Sequence, residues 1–475
     1  MNDKIKNNLQ LTCWGGVGAV TGANFLLEDG ETRILVDCGL LQGVAGADME
    51  NAQKFPYDPK TVDFLFLTHA HMDHIGKVPK LVRDGFSGAI FSTPETLELS
   101  KLMFDDALNI ARKNAEQNAQ NQNNSPAPLY DEADVAKTMS LWQTISYHTE
   151  KKFNDNFSVF VLDAGHILGS AMYQFSHLQN GDPNPDKRVS TKIVFTGDSG
   201  NSPAPLLKDT DKIEGSDYLL MDSVYGDRNH EPKDERDAKF RQIIAETIAV
   251  GGAVVMPAFS LERTQVILYE LNNLIEENKI PSVPVFLDSP LGEKVTEIYK
   301  RETKDFNAGV QSEIKGGDDI FNFPKLRITH GHLDSQKIVE TPNPKIIIAG
   351  SGMSSGGRVV GHEKTFLPDP KSTLLLMGYQ AIGTLGRQLQ DKPKQIEIDG
   401  VNVPVRARIE MISGYSSHKD SDHLVQMVSD TAKTVKKVFV TMGEPSSSTF
   451  LAQKLHDELG VDAIYPERGK IYELE

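Results

Sequence analysis

The run His69-Ala70-His71-Met72-Asp73-His74 constrains this chain more than any other stretch. It puts four metal-ligating side chains into six positions, directly after the apolar segment Phe64-Leu65-Phe66-Leu67. Zinc draws neutral imidazoles and ionised carboxylates to about 2 Å, and residues two apart in an extended segment point the same way. His69 and His71 can therefore share one metal, while Asp73 and His74, past the bend, address a second. Two more apolar runs, 159–162 and 193–196, lead into His166 and Asp198. The expected set is His69, His71 and His166 on one zinc, Asp73 and His74 on the other, with Asp198 bridging. Two zinc ions and a hydroxide between them form a hydrolytic centre that lowers the pKa of water and stabilises developing negative charge. After Asp73, Asp198 and the hydroxide are counted, about one positive charge remains, which suits a phosphodiester.

The other 469 positions of the 475 must build a frame for that run, and they exceed one ordinary core. Short apolar runs at Leu9–Cys13, 24–27 and 33–37, broken by a glycine-rich stretch at 15–22, predict strands. Helical periodicity follows at 78–84 and 94–113, and the asparagine- and glutamine-rich tract 114–124 is expected to be a mobile loop. From about Gly226 longer helices and strands alternate: helices at 235–250 and 262–278, strands at 253–256, 283–287, 345–348 and Thr373–Met377. That pattern predicts a separate α/β layer structure. Short strands return at 409–412 and 437–441 around a helix at 419–429.

Hydrophobic residues at 39% and charged residues at 24% predict a folded chain. With no apolar run of membrane-spanning length and a polar start at residues 1–4, a cytoplasmic protein with no membrane partner is expected. Cys13 and Cys38 sit in strand-like stretches and should be buried, reduced thiols. A net charge of −16 argues against a surface that grips polyanions in bulk, so any nucleic acid must find a local positive track.

In their order, Asp37, the 69–74 run, His166 and Asp198 resemble the signature of the metallo-β-lactamase superfamily. Nearly the whole chain resembles its β-CASP nucleases, the family of the pre-mRNA 3′-end endonuclease subunit and of prokaryotic RNA-processing homologues. This resemblance implies an α/β fold: a metallo-β-lactamase αββα sandwich over 1–225 and 406–475, interrupted by an inserted α/β β-CASP domain at 226–405. It implies two zinc ions per chain and a ribonuclease, an endonuclease, cutting RNA phosphodiesters in a cleft between two lobes, with zinc-bound hydroxide as nucleophile. Asp73 then belongs to the catalytic as well as the metal-binding residues, and Asp37 supports the ligands from behind. His418 in Gly414-Tyr415-Ser416-Ser417-His418 corresponds to the general acid, and Asp222 in Met221-Asp222-Ser223 to its partner. The stretch Ser351-Gly352-Met353-Ser354-Ser355-Gly356-Gly357-Arg358 resembles family segments facing the cleft, where amides and Arg358 can meet phosphate. Arg263, His362 and Arg387 are further substrate-binding candidates, with ordinary ion pairs as the alternative reading. A homodimer is expected by the same resemblance.

One departure stands out. RNA-cleaving members carry His-Gly-Glu where this chain has Met442-Gly443-Glu444, and DNA-directed members carry an apolar residue there. Single-stranded DNA is therefore an alternative substrate, and a noncatalytic RNA-processing subunit with a weakened second metal site is another alternative. Gly378-Tyr379-Gln380-Ala381 and the following 383–387 resemble RNA-processing members and favour RNA. A small-molecule hydrolase of the same fold is disfavoured by the large insertion and by Asp222 with His418. Asp73, His74, Asp198 and hydroxide still offer the second zinc four ligands.

Overall fold

The computed structural model describes residues 9–44, 46–121, 128–178 and 190–475. The polar start at 1–4 and the end of the polar tract, 122–124, lie outside the described residues.

Leu9–Cys13 pairs antiparallel with Phe25–Glu28, which turns back onto Arg33–Val36. The turn is closed by Asp29, whose Oδ1 accepts from the amides of Glu31 and Thr32. Phe64–Phe66, Ala89–Ser92 and Trp142–Thr144 then add in parallel, and Ile471–Leu474 closes the opposite edge of this seven-stranded sheet. A second seven-stranded sheet runs in the order Ala463–Ile464, Lys437–Val440, Tyr218–Met221, Ser190–Phe195, Ala171–Leu178, Phe157–Asp163, Glu150–Lys152. Its aromatic face meets that of the first: Phe66 and Phe175 stand edge to face with centroids 5.0 Å apart, and Phe25 lies 6.4 Å from Phe195. Leu26, Leu35 and Leu65 point the other way, beneath the helices that carry Val78, Leu81, Phe104 and Val135. On the far side Leu219, Met221 and Val440 pack under Leu424, Val428 and Leu451. Period-two alternation thus builds a helix–sheet–sheet–helix sandwich.

The inserted layer holds six parallel strands in the order Leu326–Ile328, Val285–Asp288, Lys345–Ala349, Ala253–Pro257, Thr373–Met377, Arg408–Ile412. Its central strands are buried along their whole length, because helices cover both faces, and this is why they read as unbroken apolar runs. The last strand, Arg408–Ile412, pairs in parallel with Thr373–Met377. The chain therefore returns to the sandwich after Ile412, whereas the expected boundary at 405/406 leaves that strand on the sandwich side.

The tract expected as a loop from 114 is instead helical as far as it is described: one helix runs Pro94–Asn121. Between Glu95 and Asn121 there is no glycine or proline to stop it, and alanine, glutamate and glutamine favour continuation. Cys13 and Cys38 are buried free thiols, and burial pushes both pKa values up to about 12. Among the described residues no helix is long and apolar enough to cross a membrane.

Candidate metal centre and cleft

Strand ends deliver the polar residues to one rim of the sandwich. Phe64–Phe66 runs into buried Thr68 and His69, Phe157–Asp163 precedes His166, Ser190–Phe195 precedes Asp198, and Tyr218–Met221 runs directly into Asp222. The turn holding His71, Asp73 and His74 is clamped by backbone. Ala23 N–H donates to Asp73 O, Cys38 N–H to His74 O and Leu40 N–H to Met72 O, at 2.7–2.9 Å. Only a glycine fits at 39, since a Cβ there would come 1.5 Å from Asp73 O.

His69 Nε2 lies 3.0 Å from His71 Nδ1, which lies 3.3 Å from His166 Nε2. Asp198 Oδ2 is 3.6 Å from both His69 Nε2 and His166 Nε2. All four residues offer ligand atoms within 4.8 Å of one another. Donors placed tetrahedrally about 2.1 Å from a zinc ion are separated by about 3.4 Å, so this set fits one metal. The other carboxylate oxygen of Asp198 faces away from that set, 3.4 Å from His74 Nε2, and Asp73 Oδ2 is 3.9 Å from the same nitrogen. Both His74 Nε2 and Asp198 Oδ1 are buried without a hydrogen-bond partner. Orphaned buried polar atoms are costly, and a cation between these two would satisfy both. Asp73, His74 and Asp198 make a looser set than the first, as they are not among the groups gathered within 4.8 Å.

Asp37 dictates which imidazole nitrogens are free. Fully buried, it accepts from Thr68 N–H and Thr68 Oγ–H at 2.8 Å each, and from His74 Nδ1–H at 2.7 Å. With its own proton given to Asp37, Thr68 Oγ accepts from His69 Nδ1–H at 3.0 Å. His166 Nδ1–H donates to Ser417 O at 3.1 Å. His69 and His166 are therefore left with an Nε2 lone pair aimed at the centre, as metal ligation requires, and His74 turns its Nε2 the same way, where a metal would displace a proton. Burial holds the pKa values of His69 and His166 well below the usual range and that of His71 down to about 3, keeping these rings neutral. For His74 burial also opposes protonation, but Asp198, Asp37 and Asp73 outweigh it and raise its pKa. Asp198 is depressed: burial would raise it, and His74 and His418 overcome that.

His418 stands at the mouth, its ring tilted against that of His166 with centroids 4.6 Å apart, its side chain 21% exposed. Its Nδ1 faces Asp222 Oδ2 at 3.7 Å and Asp198 Oδ2 at 3.9 Å, ion-pair separations longer than a hydrogen bond. Asp222 is anchored by Ser199 N–H, 3.0 Å from its Oδ1.

Sequence reasoning missed the residues that hold this loop. Glu231 Oε2 accepts from the amides of Ser413 and Gly414 at 2.9 and 2.8 Å and from Ser413 Oγ. Against the effect of burial, these bonds bring its pKa to about 2. His230 Nε2–H donates to His418 O at 2.9 Å, and Asn201 Nδ2 spans Gly414 O and Ser416 O, both at 3.1 Å. The dense polar run Asp227-Arg228-Asn229-His230-Glu231, so soon after Asp222, was the available signal.

The substrate-binding candidates separate clearly. Ser351 lines a cavity of about 1010 Å³ between the lobes, together with Phe259, Leu41, Met49 and Met353. Phe259's ring lies 6.5 Å from that of His71, so the cavity reaches the edge of the metal centre. Gly352 O accepts from Gln380 Nε2 at 3.1 Å. Arg358 and His362, both expected to meet substrate, pair with buried Asp288. Arg358 Nη1 donates to Asp288 Oδ1 at 2.6 Å, and His362 Nε2–H to Asp288 Oδ2 at 2.7 Å. Arg387 Nη1 donates to Gln380 O at 3.1 Å and lies 3.8 Å from Glu444, so it ties the lobes together. Arg263 is buried, and its Nε and Nη1 have no partner. Met442 does not face the metal set. Its backbone is left-handed (φ 49°), its amide donates to Gly16 O at 2.7 Å, and its sulfur packs against Gly16 in the cluster that contains Phe25.

A four-layer sandwich with histidines and aspartates at its strand ends, capped by an α/β lobe, defines a metal-dependent hydrolase. Comparison with known proteins narrows this. Residues 17–99 match the metallo-beta-lactamase superfamily, 264–389 the Beta-Casp domain, and 402–466 the Zn-dependent metallo-hydrolase RNA specificity domain. A ribonuclease of Thermus thermophilus is 32% identical over 427 residues, covering 90% of this chain and 92% of the relative. The transcription termination factor FttA of Methanosarcina mazei is 31% identical over 468 residues, covering 96% of this chain and 70% of the relative. An RNase J-like protein of Methanocaldococcus jannaschii is 30% identical over 455 residues, covering 94% and 95%. A crystal structure of a protein of unknown function from Enterococcus faecalis V583 shares the fold, with a TM-score of 0.54, 13% identity and coverage of 98% of this chain and 100% of that one. The chain belongs to the β-CASP nucleases of the metallo-β-lactamase superfamily.

Proposed function

We propose that this chain hydrolyses phosphodiester bonds within single-stranded RNA, in the cleft between its sandwich and inserted lobe, with two zinc ions. His69, His71 and His166 hold one ion, Asp73 and His74 the other, and Asp198 bridges them. When bound, such a pair lowers the pKa of water and stabilises the charge that develops on phosphoryl oxygens. The protein's own groups do the rest. With Nδ1 turned to Asp222, the imidazolium form of His418 has its Nε2–H free to protonate the leaving oxygen; burial opposes that charged form, but Asp198 and Asp222 outweigh it and raise the His418 pKa. Glu231, His230 and Asn201 hold the loop so that this nitrogen stays over the cleft. Asp37 keeps His74 and, through Thr68, His69 presenting Nε2 to the centre.

The observation that carries this reading is the split of Asp198, with one oxygen toward the three-histidine set and the other toward His74, beside a partly exposed His418. RNA is favoured by the ribonuclease among the relatives and by the RNA specificity match at 402–466. Met442 favours the DNA alternative, since no imidazole stands at that position. Matched RNA and DNA oligonucleotides given to the zinc-loaded chain test the substrate. Faster cleavage of RNA is expected, and cleavage of DNA alone would replace RNA with DNA in this account.

A further inference from the structure

Of the four basic side chains expected near phosphate, three are already spoken for: Arg358 and His362 by Asp288, and Arg387 by Gln380 O and Glu444. Arg263 differs, since two of its guanidinium nitrogens are unpartnered. It is only 5% exposed, yet neither Nε nor Nη1 has a hydrogen-bond partner. Among the described residues no carboxylate pairs with it. The adjacent Glu262 uses Oε2 to accept from Tyr299 Oη–H at 2.7 Å, and burial raises its pKa to about 7, so it carries well under a full negative charge near neutrality. A buried, unpaired cation is strongly unfavourable unless an anion arrives to meet it.

Three features make the place an anion site rather than a packing accident. Arg263 is the first residue of the 14-residue helix Arg263–Glu276, whose N-cap supplies no side-chain bond, so the helix end adds positive potential. Space is reserved for the guanidinium: Nη1 lies against Gly378, where a Cβ would come within 2.6 Å. The helix starts close to the metal-ligand cluster: Thr264 N–H donates to Phe259 O at 3.2 Å, and the Phe259 ring lies 6.5 Å from that of His71. Among the described residues the inter-lobe cavity itself is lined by no lysine, arginine or histidine, and Arg263 sits behind its wall, at the start of the helix that follows Phe259.

We infer that Arg263 is the phosphate anchor of this cleft, its guanidinium hydrogen-bonding a non-bridging oxygen of the phosphodiester that lies at the metal centre. The inference rests on the nuclease reading for its substrate, though not for its anion. Arginine suits the task because it stays charged when buried and presents several fixed donors.

The test uses the full zinc-loaded chain, with thermal unfolding followed across an inorganic phosphate titration, for wild type, Arg263→Met and Arg263→Lys. Phosphate should raise the wild-type midpoint. In Arg263→Met the phosphate concentration giving half that rise should increase at least about tenfold, the scale of a lost hydrogen bond to a charged group. Without phosphate, Arg263→Met should melt no lower than wild type, since the variant no longer buries an unpaired charge. Its kcat/KM on RNA should fall on the order of 100-fold. Should Arg263→Met fail to fold, Arg263→Lys, which keeps the charge but loses the planar donor array, should show the same weakening in smaller degree. An unchanged phosphate half-point in the folded variant overturns the inference. A wild type that responds to phosphate through Arg263 but leaves RNA intact overturns the nuclease reading and leaves the anion site standing.

Discussion

Replacing Asp37 with asparagine should weaken one zinc more than the other. The side chain keeps its size, and Oδ1 can still accept from Thr68 N–H. Where Oδ2 now accepts from both Thr68 Oγ–H and His74 Nδ1–H, the variant presents an amide N–H2, a donor facing two donors. Thr68 can rotate its hydroxyl. His74 can relieve the clash only by moving its proton to Nε2, the nitrogen 3.4 Å from Asp198 Oδ1, and a protonated nitrogen cannot bind metal. Losing an outer partner of this kind costs 10- to 100-fold in metal affinity, or about 1.4–2.7 kcal/mol. A zinc titration against a chromophoric chelator resolves two binding steps. The expected result is one step weakened by that factor and the other by less, since His71 and His166 do not depend on Asp37 and His69 depends on it only through Thr68. Two unchanged steps would refute the reasoning about the tautomer.

Other outcomes follow from single side chains. Buried Glu363 has one oxygen bonded by Ser354 Oγ–H and one unpartnered, and burial raises its pKa to about 8. Unfolded, it ionises near 4.5, so between those values the folded chain holds an extra proton and stability falls with rising pH by up to about 1.4 kcal/mol per unit. Urea midpoints of Glu363→Gln relative to wild type should therefore improve from pH 5 to pH 7.5, and an equal difference at both would contradict this. RNA binding should respond weakly to salt, because the cavity has no basic lining and Arg263 makes one phosphate contact. A slope of log K against log salt of about −0.7 is expected, and one of about −4 or steeper would show an extended basic track elsewhere. Met442→His should leave zinc affinity at the second site unchanged unless the side chain leaves its core packing against Gly16, so a gain in affinity reads out that rearrangement. Histidine tolerates the left-handed backbone at this position.

Much of the centre was legible because its ligands are local: all six follow within eight residues of the strand that delivers them, as at 69–74, His166 and Asp198. The inserted sheet was legible for a related reason, since Lys-Ile-Ile-Ile-Ala and Thr-Leu-Leu-Leu-Met can only be strands buried on both faces. Residues whose role depends on distant partners were not. His418 entered by resemblance alone, because it reaches the site through a bridge to Gly200. The fate of Arg358 and His362 turned on Asp288, about 70 residues away in sequence, and separations of that size are invisible to local pattern reading. Edge strands such as Glu150–Lys152 have no buried face to mark them, and the helix through Asn121 hid in a composition that also suits a loop.

The central claim is that Asp198 joins two metal sites that cut RNA. End-labelled single-stranded RNA, digested by zinc-loaded wild type and by Asp198→Ala with zinc counted in each, tests it most directly. The account predicts about two zinc ions and internal fragments for wild type, with loss of zinc and of cleavage in the variant. A variant that cuts at the wild-type rate, or a wild type carrying both ions that leaves RNA and DNA intact, would contradict it.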